Sequence, residues 1–123
     1  QPAEIWFQDN VAASQTNVAL GSRVSTLFDT WVAPKSGAVV GIVARFNAAV
    51  SAGAAQVTVT INGTPGTLNA SVAGGTIGTA SQVAGTADRY AAGDLLGIAI
   101  TTSADFAPTT DDVEAYLVIA ENP

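Results

Sequence analysis

Apolar and polar residues alternate along most of this chain. The pattern is clearest in QVTVTING, where Val57, Val59 and Ile61 are separated by Gln or Thr ahead of the turn-forming pair Asn62-Gly63. Successive side chains of a β-strand point to opposite faces, so a period of two predicts a strand with one buried face. Further strand candidates lie at residues 5–8, 17–20, 26–32, 40–50, 68–72, 96–101 and 113–120.

Turn-forming residues separate these segments at short intervals, and segment 76–90 has only a weak pattern, typical of a strand followed by a loop. Nothing in the chain favours a helix over a strand, and no repeat of 20 to 50 residues is visible, which disfavours a solenoid or propeller. The pattern therefore predicts an all-β sandwich or barrel.

The most apolar stretch, residues 29–50, contains Lys35 and Arg45. It is too interrupted to span a bilayer, which takes about 20 consecutive apolar residues. A helical stripe can be drawn through it, but its Val and Ile content and its glycines favour a strand. Lys35 is expected in an exposed turn, because it lies between Pro34 and Ser36-Gly37.

Some apolar residues occupy the alternate positions at which a solvated sheet carries polar groups. We expect an oligomer interface at these positions and the neighbouring Arg45, because covering a Val or Leu is worth about 1.5–3 kcal/mol and Arg is enriched at interfaces. The alternative is that both faces are buried within a single chain. The predicted interface residues are Val39, Val43, Arg45, Leu95 and Ala99.

Composition supports a partly covered surface. Hydrophobic residues make up 48% of the chain and charged residues only 11%, against about 25% charged in a typical soluble domain. The formal net charge is -6, and the four basic residues are scattered singly. Nucleic-acid binding is not expected, because neutralising phosphates needs a basic stripe.

The chain contains no Cys, His or Met. This excludes disulfides, thiol and imidazole catalysis and the common zinc sites. Lys35 beside Ser36 lacks an oxyanion hole, so we expect no catalytic residue, no cofactor and no enzyme activity. Asp105, Asp111 and Asp112 are weak calcium candidates, but they lack a full calcium-loop motif.

Aromatic residues are expected mainly in the core, which is where Phe28 and Phe46 are placed. Trp6, Trp31 and Tyr116 fall on the opposite side of the strand alternation from their apolar neighbours. They are therefore predicted on an outer face or at an interface. Trp31 and Tyr116 are the candidates for stacking against a glycan.

Three segments, WVAPKSGAVVGI, AAGDLLGIAI and FAPTTDDVEAYLVI, resemble small jelly-roll proteins of tailed-phage virions, of the capsid-decoration or head-fibre type. Their order is also similar to that of the trimeric jelly rolls of the complement and tumour-necrosis-factor type. The resemblance implies a jelly roll of about eight antiparallel strands, a homotrimer and binding to a capsid.

Residues 1–16 lie outside this resemblance and are predicted to form an N-terminal extended arm ahead of a jelly-roll domain at residues 17–123. Within the arm, Ile5, Trp6 and Phe7 are the predicted contacts to a capsid or neighbouring chain, by strand addition.

The function expected from the resemblance is that of a structural virion protein on the outer capsid surface. It would trimerise, bind the major capsid protein and stabilise the lattice, with no membrane or nucleic-acid partner. The alternative is a carbohydrate- or receptor-binding tip domain of a phage fibre or adhesin.

Overall fold

The computed structural model describes residues 2–23, 27–85 and 87–122. Gln1 and the first residue of the strand candidate at 26–32 lie outside this part of the chain. Within it, no helix is long and apolar enough to cross a membrane. The strands are β1 (Pro2–Gln8), β2 (Val18–Ala19), β3 (Gly21–Ser22), β4 (Trp31–Val32), β5 (Gly37–Phe46), β6 (Ala55–Ile61), β7 (Thr64–Val72), β8 (Ile77–Ser81), β9 (Arg89–Tyr90), β10 (Leu95–Thr102) and β11 (Val113–Glu121).

The strands form two antiparallel sheets. The six-stranded sheet has the order β3-β1-β11-β5-β8, with β9 also paired to β5, and the five-stranded sheet has the order β2-β10-β6-β7, with β4 also paired to β10. The short strands β2 and β4 both pair with β10, and β8 and β9 both pair with β5. Each of these two sets therefore occupies a single strand position in its sheet. The pairs are then nested: β1 with β11, β2 and β4 with β10, β5 with β8 and β9, and β6 with β7. This order defines a jelly roll, which confirms the predicted fold class.

The core lies between the inner faces of the two sheets. Leu96, Ile98 and Ile100 of β10 face it at every second position, as the alternation predicted. Phe46 and Phe106 meet at one end, with ring centroids 6.0 Å apart. The predicted core position of Phe46 is thus confirmed, whereas that of Phe28 is wrong, because Phe28 lies in a surface segment with 68% of its area exposed.

A bulge in β5 reverses the expected alternation. Gly41 pairs with Val118 and Val39 with Ile119, so Val40 is an extra residue that opposes none on β11. This extra residue turns Val39 inward, where it is fully buried. The prediction that Val39 faces outward is therefore wrong.

Ala99 also differs from the prediction. It lies on the outward side of β10, but only 3% of it is exposed. Its cross-strand neighbours Thr58 and Ala19 flank the short methyl group. Ala99 consequently offers little surface to a partner.

The first strand belongs to the six-stranded sheet, where the sequence predicted a separate arm. β1 pairs with β11 on one side and β3 on the other. Trp6 is fully buried, and its indole N–H donates a 2.8 Å hydrogen bond to the Asp29 carbonyl. Ile5 and Phe7 lie on the opposite face of β1. Trp6 therefore faces the core, and its predicted position on an outer face or at an interface is wrong.

A single carboxylate links the edge strand β7 to the opposite sheet. Asp88 accepts hydrogen bonds from the backbone N–H groups of Thr67 (2.7 Å) and Leu68 (2.8 Å) and from the side chain of Gln82 (2.9 Å). The register of β7 against β6 is irregular here, between Thr58 and Thr60. The carboxylate thus satisfies backbone donors that the irregular ladder leaves unpaired.

We expect Asp88→Ala to lower the free energy of unfolding by about 2–4 kcal/mol, because hydrogen bonds to charged groups are worth about 1.5–3 kcal/mol each and water replaces some of them. Urea unfolding followed by circular dichroism measures this. Asp88→Asn keeps one oxygen acceptor and should lose less. Equal stability of wild type and Asp88→Ala would show that Asp88 does not clamp β7.

Candidate interaction surface on the six-stranded sheet

Side chains from four strands form a groove on the outer face of the six-stranded sheet. Cross-strand pairing aligns Ile5 with Tyr116, and Tyr116 with Val43. The next row aligns Glu114 with Arg45, and Arg45 with Ile77. These residues enclose an open cavity of about 330 Å³. We call it the outer-face groove, defined by Ile5, Val43, Arg45, Ile77, Glu114 and Tyr116.

A second hollow of about 530 Å³ adjoins the groove and shares Arg45, Ile77 and Glu114 with it. Arg23 lies at its border, with its guanidinium 4.1 Å from the centre of the Phe7 ring. The same guanidinium donates to Glu114 at 2.9 Å. Arg23 thereby borders a concave surface that continues from the groove.

The charges on this surface are unevenly paired. Glu114 opposes Arg45 in the strand register, but its ion pair is with Arg23. Arg45 forms no ion pair within residues 2–23, 27–85 and 87–122. Among the described residues, the positive charge of Arg45 therefore lies beside the apolar side chains of Val43 and Ile77 without a direct ion pair.

The groove suits a protein surface better than a small molecule. It is shallow and open, and it exposes 44% of Ile5 and 61% of Ile77. Covering such side chains is worth about 1.5–3 kcal/mol each. Interfaces commonly combine an apolar centre with Arg at its margin.

The structure brings together residues to which the sequence assigned different roles. Val43 and Arg45 were predicted at an oligomer interface, Ile5 at a capsid contact and Tyr116 at a glycan site, and all of them line the groove. Ile77 also lines the groove and was not predicted from the sequence. Its segment alternates as Ile77, Thr79 and Ser81 outward around Gly78 and Ala80, a weak signal because the inward residues are small.

Leu95 lies apart from the groove, on the five-stranded sheet. It pairs with Val32 of β4, and both side chains are exposed. Leu27 and Phe28, which precede β4, are exposed as well. We call Leu27, Phe28, Val32 and Leu95 the β4–β10 patch.

The two glycan-stacking candidates lie on different sheets. Trp31 belongs to β4 and packs partly against the core, whereas Tyr116 belongs to β11 in the groove. A stacking platform needs an exposed aromatic face. Glycan stacking would therefore use Trp31 or Tyr116 separately, and it stays a prediction for each.

The acidic candidates precede the first residue of β11 and hold loops in place. Asp111 is buried and accepts a hydrogen bond from the Ala48 backbone N–H (2.9 Å). Asp112 accepts one from the Asn10 N–H (2.9 Å), and Asp105 lies beside Gly53 in another loop. Across the described ranges, no group of three or more His, Cys, Asp or Glu residues could hold a metal ion.

Fold and surface together define a jelly-roll domain with an apolar, concave outer face. Comparison of the sequence with protein-family models and with curated proteins gave no match. Among solved structures, the chain is similar to the globular domain of zebrafish complement 1qA protein, at 13% identity and a TM-score of 0.49. That similarity covers 99% of this chain and 100% of the other. The assignment of the jelly roll rests on the nested strand pairing described above.

Proposed function

We propose that this chain is a structural protein of a virion surface, which self-associates through the outer-face groove and binds the outer surface of a capsid to stabilise it. The observation that carries the proposal is the position of Arg45, without an ion pair among the described residues, beside exposed Ile77 and half-buried Val43. A solvated arginine on the surface of a monomer does not require apolar neighbours, whereas an arginine at the margin of an interface commonly has them.

A second copy of the chain is the partner that fits the groove. The chain is acidic, with a formal net charge of -6, so another copy offers many carboxylates to Arg45. Its low content of charged residues, 11%, agrees with a surface that is partly covered in the assembly. The proposed number of copies, three, comes from the resemblance to trimeric jelly rolls.

The β4–β10 patch is our candidate for the capsid contact. It lies on the five-stranded sheet and its adjoining loop, so it would stay accessible when the groove of the other sheet is covered. It takes over the role predicted for Ile5, Trp6 and Phe7, of which Trp6 is buried in the core. Several patches per assembly would strengthen individually weak contacts through avidity.

Replacement of Arg45 tests the self-association step. We expect Arg45→Glu to weaken association by about tenfold, or about 1.4 kcal/mol, because it replaces an attractive charge with a repulsive one. Lys35→Glu makes the same charge change in an exposed turn and should leave association unchanged. Native mass spectrometry over a dilution series measures both variants. Equal weakening by the two would indicate a general charge effect instead of a contact at the groove.

Co-sedimentation with purified capsids tests the second step. Wild-type protein should sediment with particles of its own virus, and Phe28→Ser should sediment less because it removes an exposed aromatic anchor of the patch. Val83→Ser changes another exposed apolar residue, in a loop outside the patch, and serves as the control. Wild-type protein that binds glycans and ignores capsids would instead support the carbohydrate-binding alternative.

A further inference from the structure

The turn between β6 and β7 places an asparagine directly before a glycine at an exposed position. Asn62 and Gly63 have φ angles of +53° and +81°, which is the left-handed geometry that two-residue hairpins of the Asn-Gly type adopt. Nothing lies within 4 Å of the position where a side chain on Gly63 would begin. Solvent therefore reaches the peptide bond that joins them.

Both ends of the Asn62 side-chain amide are held by the neighbouring turn. Its oxygen accepts a hydrogen bond from the Leu95 backbone N–H (3.0 Å), and its nitrogen donates to the Asp94 carboxylate (3.2 Å). The Asn62 backbone N–H also donates to the Leu95 carbonyl (2.7 Å). Asp94 is fixed in turn by the Ala91 N–H (2.8 Å). The hydrogen bond from the Ala91 N–H, and to a lesser extent that from Asn62, lowers the pKa of Asp94. Its carboxylate therefore stays a charged acceptor at neutral pH.

We propose that Asn62 is a site of spontaneous self-modification, which these hydrogen bonds hold in the amide form. In the reaction the Gly63 backbone nitrogen attacks the Asn62 side-chain carbonyl carbon. The new C–N bond closes a succinimide ring, the bond to the side-chain nitrogen breaks, and ammonia leaves with the proton from Gly63. Water then opens the ring at either carbonyl, which yields aspartate or isoaspartate at position 62.

The native turn restrains this reaction because the side-chain amide must leave Asp94 and Leu95 before its carbon can meet the Gly63 nitrogen. Modification then proceeds through local opening of the hairpin, at a rate proportional to the open population. The product removes the donor to Asp94 and places a second carboxylate beside it. Like charges at this distance repel, so modification would loosen the junction beside Leu95 in the β4–β10 patch.

The experiment follows amide loss by peptide mass spectrometry during incubation of the folded chain at neutral pH. Asp94→Ala should accelerate modification of Asn62 by about tenfold, because loss of the hydrogen bond to the Asp94 carboxylate raises the open population of the turn. Asn69, which precedes Ala70 within β7, is the internal control and should stay unmodified in both proteins.

A second comparison needs no variant. Wild-type protein unfolded in denaturant should modify Asn62 at least about tenfold faster than the folded protein, because unfolding releases the same hydrogen bonds. Equal rates in the folded and unfolded protein, or an unchanged rate in folded Asp94→Ala, would overturn the proposal.

Discussion

Trp6→Ala is expected to lower the free energy of unfolding by about 3–5 kcal/mol, the range for removing a buried Trp or Phe from a core. Trp6 is fully buried and is among the largest buried side chains. Its loss would leave a cavity beneath β1 and an unbonded Asp29 carbonyl, which now accepts the indole N–H at 2.8 Å. Urea unfolding with the linear extrapolation measures the change.

Trp6→Phe separates packing from hydrogen bonding. It keeps most of the apolar volume and loses the donor, so we expect a loss of about 1–2 kcal/mol. This result also decides whether β1 belongs to the domain. If Trp6→Ala left stability within about 0.5 kcal/mol of wild type, as exposed substitutions usually do, residues 1–16 would behave as the separate arm that the sequence predicted.

Val43→Asp is expected to convert the proposed assembly to monomers, with association weakened by about 100- to 1,000-fold. The new carboxylate would lie beside Tyr116 in the groove, where a covering copy would remove it from water. An unpaired buried charge costs several kcal/mol, and each 1.4 kcal/mol corresponds to about tenfold in affinity. Sedimentation velocity over a concentration series measures the effect.

Ser71→Asp provides the matched control, because Ser71 is exposed on β7 of the other sheet. It adds the same charge and should leave the sedimentation coefficient unchanged. Circular dichroism checks that both variants retain the β-sandwich, which is expected because Val43 is only half-buried. Dissociation by Ser71→Asp and not by Val43→Asp would place the contact on the five-stranded sheet.

The fold class was predictable because most strands have one buried face. Val57 and Val59 in β6 alternate cleanly with polar residues, and both are buried. Val39 was not predictable, because one extra residue in β5 reverses the alternation, and a bulge leaves no mark in a run of small apolar residues. Trp6 was misplaced because Ile5 and Phe7 are as apolar as Trp6 itself, so polarity did not distinguish the two faces of β1.

The candidate site was predictable only in parts. The alternation correctly placed Val43 and Arg45 on an outer face, since they follow the bulge. That they meet Ile5 and Tyr116 depends on the pairing of β1 with β11 and β11 with β5, contacts between distant parts of the chain that no local pattern encodes. Leu95 shares the outward position of Val43 within its strand, but it lies on the other sheet.

The most direct test of the account is the accessibility of a thiol within the groove. The chain has no cysteine, so Ile77→Cys and Ser71→Cys each introduce a single reactive group, on the six-stranded and the five-stranded sheet respectively. If copies associate through the outer-face groove, alkylation of Ile77→Cys will be slow at high protein concentration and will become fast on dilution, while Ser71→Cys reacts fast at both. Equally fast alkylation of the two variants at every concentration would contradict it.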